Sequence, residues 1–163
     1  GGGFKTEYSW VESSRVKAEH FINELDLIIA NTDQTQGRLL ASPALVIKPY
    51  NDQIGKGVFS HHIFKLLLKK KNVKFYLYFL FLDKHFEIAY SYNTGTGVLG
   101  FDQENFEKQY KVIQPSDVLL EKFEKIALNV FNRILSKERQ IMMLEDVRNL
   151  LERRLVYGKM RLK

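Results

Sequence analysis

Cysteine is absent from this chain of 163 residues. That excludes a disulfide framework, a cysteine-ligated zinc site and a thiol nucleophile. It fits a reducing compartment, so a cytoplasmic location is expected. Long apolar runs are lacking as well. The longest apolar-rich stretch, Val73 to Leu82, is interrupted by Lys74 and followed by Asp83 and Lys84. It is too short to cross a bilayer, and no membrane partner is expected. Gly1-Gly2-Gly3 has neither the basic start nor the apolar run of a signal peptide. Prolines number three, at 43, 49 and 115, so nothing after Pro115 carries the residue that most strongly breaks a helix.

Catalytic signatures are missing too. There is no Gly-x-Ser-x-Gly elbow. Gly95-Thr96-Gly97 lacks the third glycine and the downstream Lys-Ser/Thr of a phosphate loop. No Asn-Pro-Pro-Tyr of the adenine-methyltransferase type occurs. His61 and His62 have no partners at metal spacing, and neighbours on a strand face opposite ways, so no shared metal is expected. Asp83, Lys84 and Glu87 lie close enough to suggest a nuclease site, but on a helix such a group reads first as an exposed charged face. The expectation is a non-catalytic protein with no cofactor and no metal.

What is present is enough to fold. Hydrophobic residues make up 45% of the chain and aromatics 13%, which supplies a sizeable core and argues against disorder. The net charge is +6. Basic and acidic residues number 14 and 12 up to Pro115, and 11 and 7 from Ser116 onward. This modest excess permits nucleic-acid binding without diagnosing it.

The chain divides near Pro115. Before it, Leu25 to Ala30 reads as a buried strand. The polar stretch Asn31 to Gly37 reads as a turn-rich loop. Ala44 to Ile47 is a second short strand between Pro43 and Pro49. Asn51 to Gly57 is a loop, and Val58 to Leu68 a strand broken by Ser60-His61-His62. Val73 to Tyr92 suits helix or strand by composition, and its length favours a helix burying Phe75, Leu77, Tyr78, Leu82, Phe86 and Ala89. Asn93 to Gly97 ends it. Phe101 to Lys108 reads as a short helix with Asp102 as N-cap, and Tyr110 to Ile113 as a last strand.

After Pro115-Ser116-Asp117, a good helix start, apolar residues recur in steps of mostly three and four. They are Leu119, Phe123, Ile126, Val130, Ile134, Ile141, Leu144, Val147 and Leu151, with one polar gap at Lys137. A helix of roughly 50–60 Å follows at 1.5 Å per residue. A domain of this size cannot cover such a stripe, so the helix is expected to pack on a second long helix.

Several stretches carry a resemblance. Asp26-Leu27-Ile28-Ile29-Ala30-Asn31-Thr32-Asp33-Gln34-Thr35-Gln36 resembles a strand headed by Asp and followed by Met-Thr-Asp-x-Thr-Gln. Pro43-Ala44-Leu45-Val46 resembles the Pro-Ala-Leu run that comes after it. Asn93 to Gly97 matches a Gly-Ser/Thr turn, and Gln114-Pro115 a Pro-Pro before a long helix. Val147 to Leu162 resembles a closing Leu-Arg-Asp-x-Leu-Leu-Pro-x-Leu-x-Ser-Gly-Glu pattern. In this order they resemble the specificity subunit of type I restriction-modification enzymes. The departures are Asn31 for Met, Asn149 for Asp, Glu152 for Pro and Lys159 for Glu. A full subunit has two recognition domains and two long helices, whereas one of each is visible here.

The resemblance implies an α+β protein. A globular mixed target-recognition domain over 1–115 is followed, over 116–163, by a long helix that pairs as an antiparallel coiled coil. It implies recognition of one half of a bipartite double-stranded DNA target. The implied partners are methyltransferase (modification) subunits, a restriction subunit, and a second recognition domain or another copy through the helix.

The candidate DNA contacts begin with Asn31, Gln34, Thr35, Gln36 and Arg38. Asn and Gln pair bidentately with adenine, and Arg with guanine; the plainer reading is a turn capped by Thr32 and Asp33. Lys69, Lys70, Lys71 and Lys74 are candidates for phosphates, or else a solvated charged edge. Thr94 and Thr96, with Gly95 and Gly97, offer backbone N–H groups to a phosphate, or simply end a helix. The competing function is a non-catalytic coiled-coil assembly module that binds protein partners.

Overall fold

In a computed structural model the described residues are 9, 11–12, 15–35, 37–47 and 57–156. The head is organised around β1, Leu27–Ala30. Leu27, Ile28 and Ile29 are all buried, so both faces of this strand are covered, as an uninterrupted apolar run requires. β2 is Thr32–Asp33, β3 Pro43–Leu45 and β4 Ile63–Lys65. β1 lies between β3 and β4, antiparallel to both, with Ile28 opposite Ala44 on one side and Lys65 on the other.

Alternation along the strand sorts the core. Leu27 and Ile29 join clusters with the helices, while Ile28 turns to the other face and packs with Ile22 and Val46. The expected strand over Val58 to Leu68 is shorter than its apolar content suggested. Val58 makes only a bridge to Phe21, and the ladder begins at Ile63, after a turn at His61 and His62.

Helix α1 spans Lys74–Ser91, which settles the helix-or-strand choice in favour of length. Phe75, Phe81, Ile88 and Ala89 are buried, and Leu77, Tyr78 and Leu82 are half-buried. Phe86, expected in the core, is instead 62% exposed. At about 100° per residue it lies nearly opposite Ile88, so the arc that buries one exposes the other.

Two further strands, β5 (Asn93–Thr94) and β6 (Leu99–Phe101), form a hairpin where only a helix-ending turn was expected. β6 pairs with β5 and with β2, which makes a second small sheet. Gly95 turns the hairpin at φ +87°; a Cβ there would stand 2.7 Å from the Val98 carbonyl oxygen.

Helix α2, Gln103–Gln109, starts as expected on Asp102, whose carboxylate accepts from the Asn105 amide at 3.1 Å. The strand expected over Tyr110 to Ile113 is not formed. Its residues are committed elsewhere: the Tyr110 ring stacks on Phe106 at 4.9 Å, and the Ile113 carbonyl accepts from the Tyr76 hydroxyl at 2.6 Å.

Helix α3 is a single 40-residue helix, Asp117–Val156, about 60 Å long. Its first half lies on the head. Leu120, Ala127 and Leu135 are buried, and Phe131 stacks on Phe75 at 5.0 Å. Glu124 reaches across to accept from the Phe75 amide at 2.7 Å. That carboxylate serves the first turn of α1, whose own N-cap residue, Val73, provides no side-chain bond. Burial pushes the Glu124 carboxyl up, against the pull of the Phe75 and Tyr76 amides and of Lys74. Arg139 pairs with Glu24 near the end of this contact. From residue 143 to 156 every residue is exposed, a stretch of roughly 20 Å. No described helix is long and apolar enough to cross a membrane.

Candidate nucleic-acid interface

The polar loop after β1 is built around one buried carboxylate. Asp33 is 3% exposed. It accepts from the Thr35 amide at 2.6 Å, from the Thr35 hydroxyl at 2.5 Å and from the Leu39 amide at 3.2 Å. Burial pushes this carboxyl up, but the bonds from Thr35, Leu39 and Gly37 outweigh it and hold the group below its ordinary 3.8. Gly37 turns at φ +86° and Ala41 closes the loop at φ 60°. The Ala41 amide donates to the Ala30 carbonyl at 3.0 Å, which repays part of the cost of a left-handed residue with a side chain.

This bracing decides what the loop presents. Gln34 and Arg38 are exposed, and neither makes a side-chain bond with another described residue. Thr35 is exposed, but its hydroxyl is committed to Asp33. Asn31 is partly committed: its side-chain amide donates to the His61 carbonyl at 2.9 Å. Gln36 lies outside the described residues.

The small sheet brings a second group of expected residues to the same end. Thr32, Gly100 and Thr94 sit side by side across β2, β6 and β5. Thr94 and Thr96 are both exposed, and the Thr94 hydroxyl donates to the Gly100 carbonyl at 3.2 Å. The two stretches read separately in the sequence are therefore one surface. Adjoining it is the turn at His61 and His62. Thr32 Oγ1 and His62 Nδ1 are 2.7 Å apart, and the imidazole rings lie 4.0 Å apart. Because these residues form a turn and not a strand, the expectation that they face opposite ways does not hold. Still, no group of three or more metal-ligating side chains occurs among the described residues. The turn was missed as part of this surface because nothing local places residue 62 beside residue 32.

The lysines are elsewhere. Antiparallel pairing sets Ile63 opposite Ala30 and Lys65 opposite Ile28, so the chain after β4 runs toward Asp26, away from Asn31. Five residues of strand separate those ends, about 17 Å. Lys69 is exposed there. Lys70 forms an ion pair with Asp117 at the start of α3. Lys71 lies in a short 3-10 turn before α1. The acidic and basic group on α1 is an exposed face, with Lys84 3.9 Å from Asp83 and 3.5 Å from Glu87.

The pairing stripe expected on α3 stands largely in solvent. Leu119, Ile126, Val130, Ile134, Ile141, Leu144, Val147 and Leu151 are exposed. Phe123 is half-buried and sits edge-on to Phe79 at 5.9 Å. The face laid on the head runs through Ala127, Phe131 and Leu135, in line with the buried Leu120, about a quarter-turn away at 100° per residue. The helix thus carries two adjacent apolar faces, of which the periodicity revealed one.

Compared with known proteins, the chain is 33% identical over 95 residues to the specificity subunit of the type I restriction enzyme MjaIX of Methanocaldococcus jannaschii. The match takes in 58% of this chain and 21% of the relative, so the chain spans about a fifth of the relative's length. No protein-family model and no solved structure matches the chain. The likeness to a specificity subunit that was read from the sequence is borne out by this relative.

Proposed function

We propose that this chain recognises DNA sequence without catalysing a reaction. It reads one half of a bipartite target and directs the methyltransferase and restriction subunits of a type I restriction-modification complex, a cytoplasmic system. The observation that carries this reading is the loop braced by Asp33, which leaves Gln34 and Arg38 exposed, without a side-chain bond to another described residue, at the same end of the head as Thr94 and Thr96. Gln matches adenine and Arg matches guanine in the major groove, and rigid presentation lowers the ordering cost of contact. Likeness to a specificity subunit supports the same reading. The exposed stripe of α3 is the surface through which a second recognition domain or another copy joins, as an antiparallel helix pair.

The test is selection from random duplexes, using the chain alone and assembled with methyltransferase subunits. A selected motif with steep salt dependence is expected. Replacing Gln34 and Arg38 with Ala relaxes base preference at about 1–3 kcal/mol per lost bidentate pair, while binding to unrelated duplexes falls less. An unchanged motif removes this loop from the reading role. The exposed stripe also favours a second reading, a pure assembly module binding protein partners. Absence of selection in every assembled form decides for it.

A further inference from the structure

The end of the head opposite the reading loop carries an open sheet edge. Among the described residues β4 pairs with β1 alone. The Leu66 amide donates to the Leu27 carbonyl at 2.9 Å, and the Asn31 amide to the His62 carbonyl at 2.8 Å. In an antiparallel ladder, residues 62, 64 and 66 therefore face β1, and the N–H and C=O of Lys65 point away from it. The same alternation, carried on one step, turns out those of Leu67. Neither residue has a backbone partner on that side among the described residues.

Beside this edge is a cleft of about 560 Å³ lined by Leu66, Leu67, Leu68, Lys69 and Lys74, among others. Leu67 is 84% exposed. The cleft's other two charges, Lys65 and Asp26, are 3.4 Å apart and neutralise each other. Neither Lys69 nor Lys74 forms an ion pair with a described residue, and Lys74 acts on the half-buried Glu124. The edge is thus apolar at its centre and cationic at its margin. A second copy pairing here would set lysine against lysine, the arrangement that protects edges from self-association. Phosphate binding would leave Leu67 without a purpose.

We propose that this edge takes up an extended acidic segment of a partner protein. The segment adds as a further strand: its backbone pairs with Lys65 and Leu67, an apolar residue covers Leu67, and carboxylates meet Lys69 and Lys74. This goes beyond DNA reading and uses none of the base-reading residues; Lys69 and Lys74, offered by the sequence for phosphates, would carry no base preference in either role.

Fluorescence anisotropy on the whole chain tests it, with a labelled octapeptide alternating aspartate and valine. That peptide binds and its lysine–valine counterpart does not. Lys69→Glu weakens the acidic peptide about tenfold or more, and added peptide slows hydrogen exchange at the Lys65 and Leu67 amides. Equal binding of both peptides, indifference to Lys69→Glu, or amides already protected in the free chain overturns the proposal. So does displacement of the peptide by a random duplex, which marks a phosphate site. The variant lacking Gln34 and Arg38 keeps peptide binding, and Lys69→Glu keeps the selected DNA motif, so the two readings fail separately.

Discussion

Asp33 organises the reading loop. Three hydrogen bonds from Thr35 and Leu39 end on its carboxylate, and bonds to a charged group are worth about 1.5–3 kcal/mol each. Its carboxyl is held below the ordinary 3.8 in the folded chain. The folded value lies below the unfolded one, so the contribution is complete above the unfolded value and is lost as pH falls through the folded value. Asp33→Asn is therefore expected to destabilise the fold by about 1–3 kcal/mol at neutral pH. In urea titrations the gap between variant and parent should narrow below about pH 4; a gap independent of pH would show that charge is not what holds the loop. The sequence offered Asp33 only as a turn cap, because its burial depends on β6 and Leu39 closing over it.

At the scale of elements, α3 is both a wall of the head and a projecting rod. Leu120 is 1% exposed and belongs to the face laid on the head. Leu120→Ala should cost about 2–5 kcal/mol, read as a lowered melting temperature. A loss within about 0.5 kcal/mol, the range of surface substitutions, would mean that the helix does not rest on the head as described. The spacing of apolar residues predicted a long helix and an exposed stripe. It did not reveal the second face, since Ala127 and Phe131 gain meaning only when α1 supplies Phe75 and Phe79 as partners. The same holds for Glu124, whose role as a cap for α1 depends on the fold that brings it to Phe75.

For the whole molecule, the distribution of surface types matters most. One end carries the braced polar loop and small sheet, the other a strand edge unpaired among the described residues with lysines beside it, and α3 carries an exposed apolar stripe. Ile126 is 65% exposed and Val130 50%, so replacing both with Asp should leave the melting temperature within a few degrees of the parent. It should abolish association through the rod in analytical ultracentrifugation, since buried unpaired carboxylates are strongly unfavourable. A double variant that assembles like the parent would refute pairing through this stripe.

Local pattern was sufficient for a mixture of short strands and helices, for α1, for Asp102 as a cap and for the length of α3. Each of these depends on periodicity, capping or an absent proline, all properties of neighbouring residues. The union of the loop at Asn31 with the turn at Thr94, the approach of His62 to Thr32, and the separation of the lysines from that surface were decided by the tertiary structure alone. Those relations follow chiefly from antiparallel registers between segments some 30 to 70 residues apart in the chain. A ladder of two or three pairs is chosen by what the whole core can bury, and no stretch of sequence contains that choice.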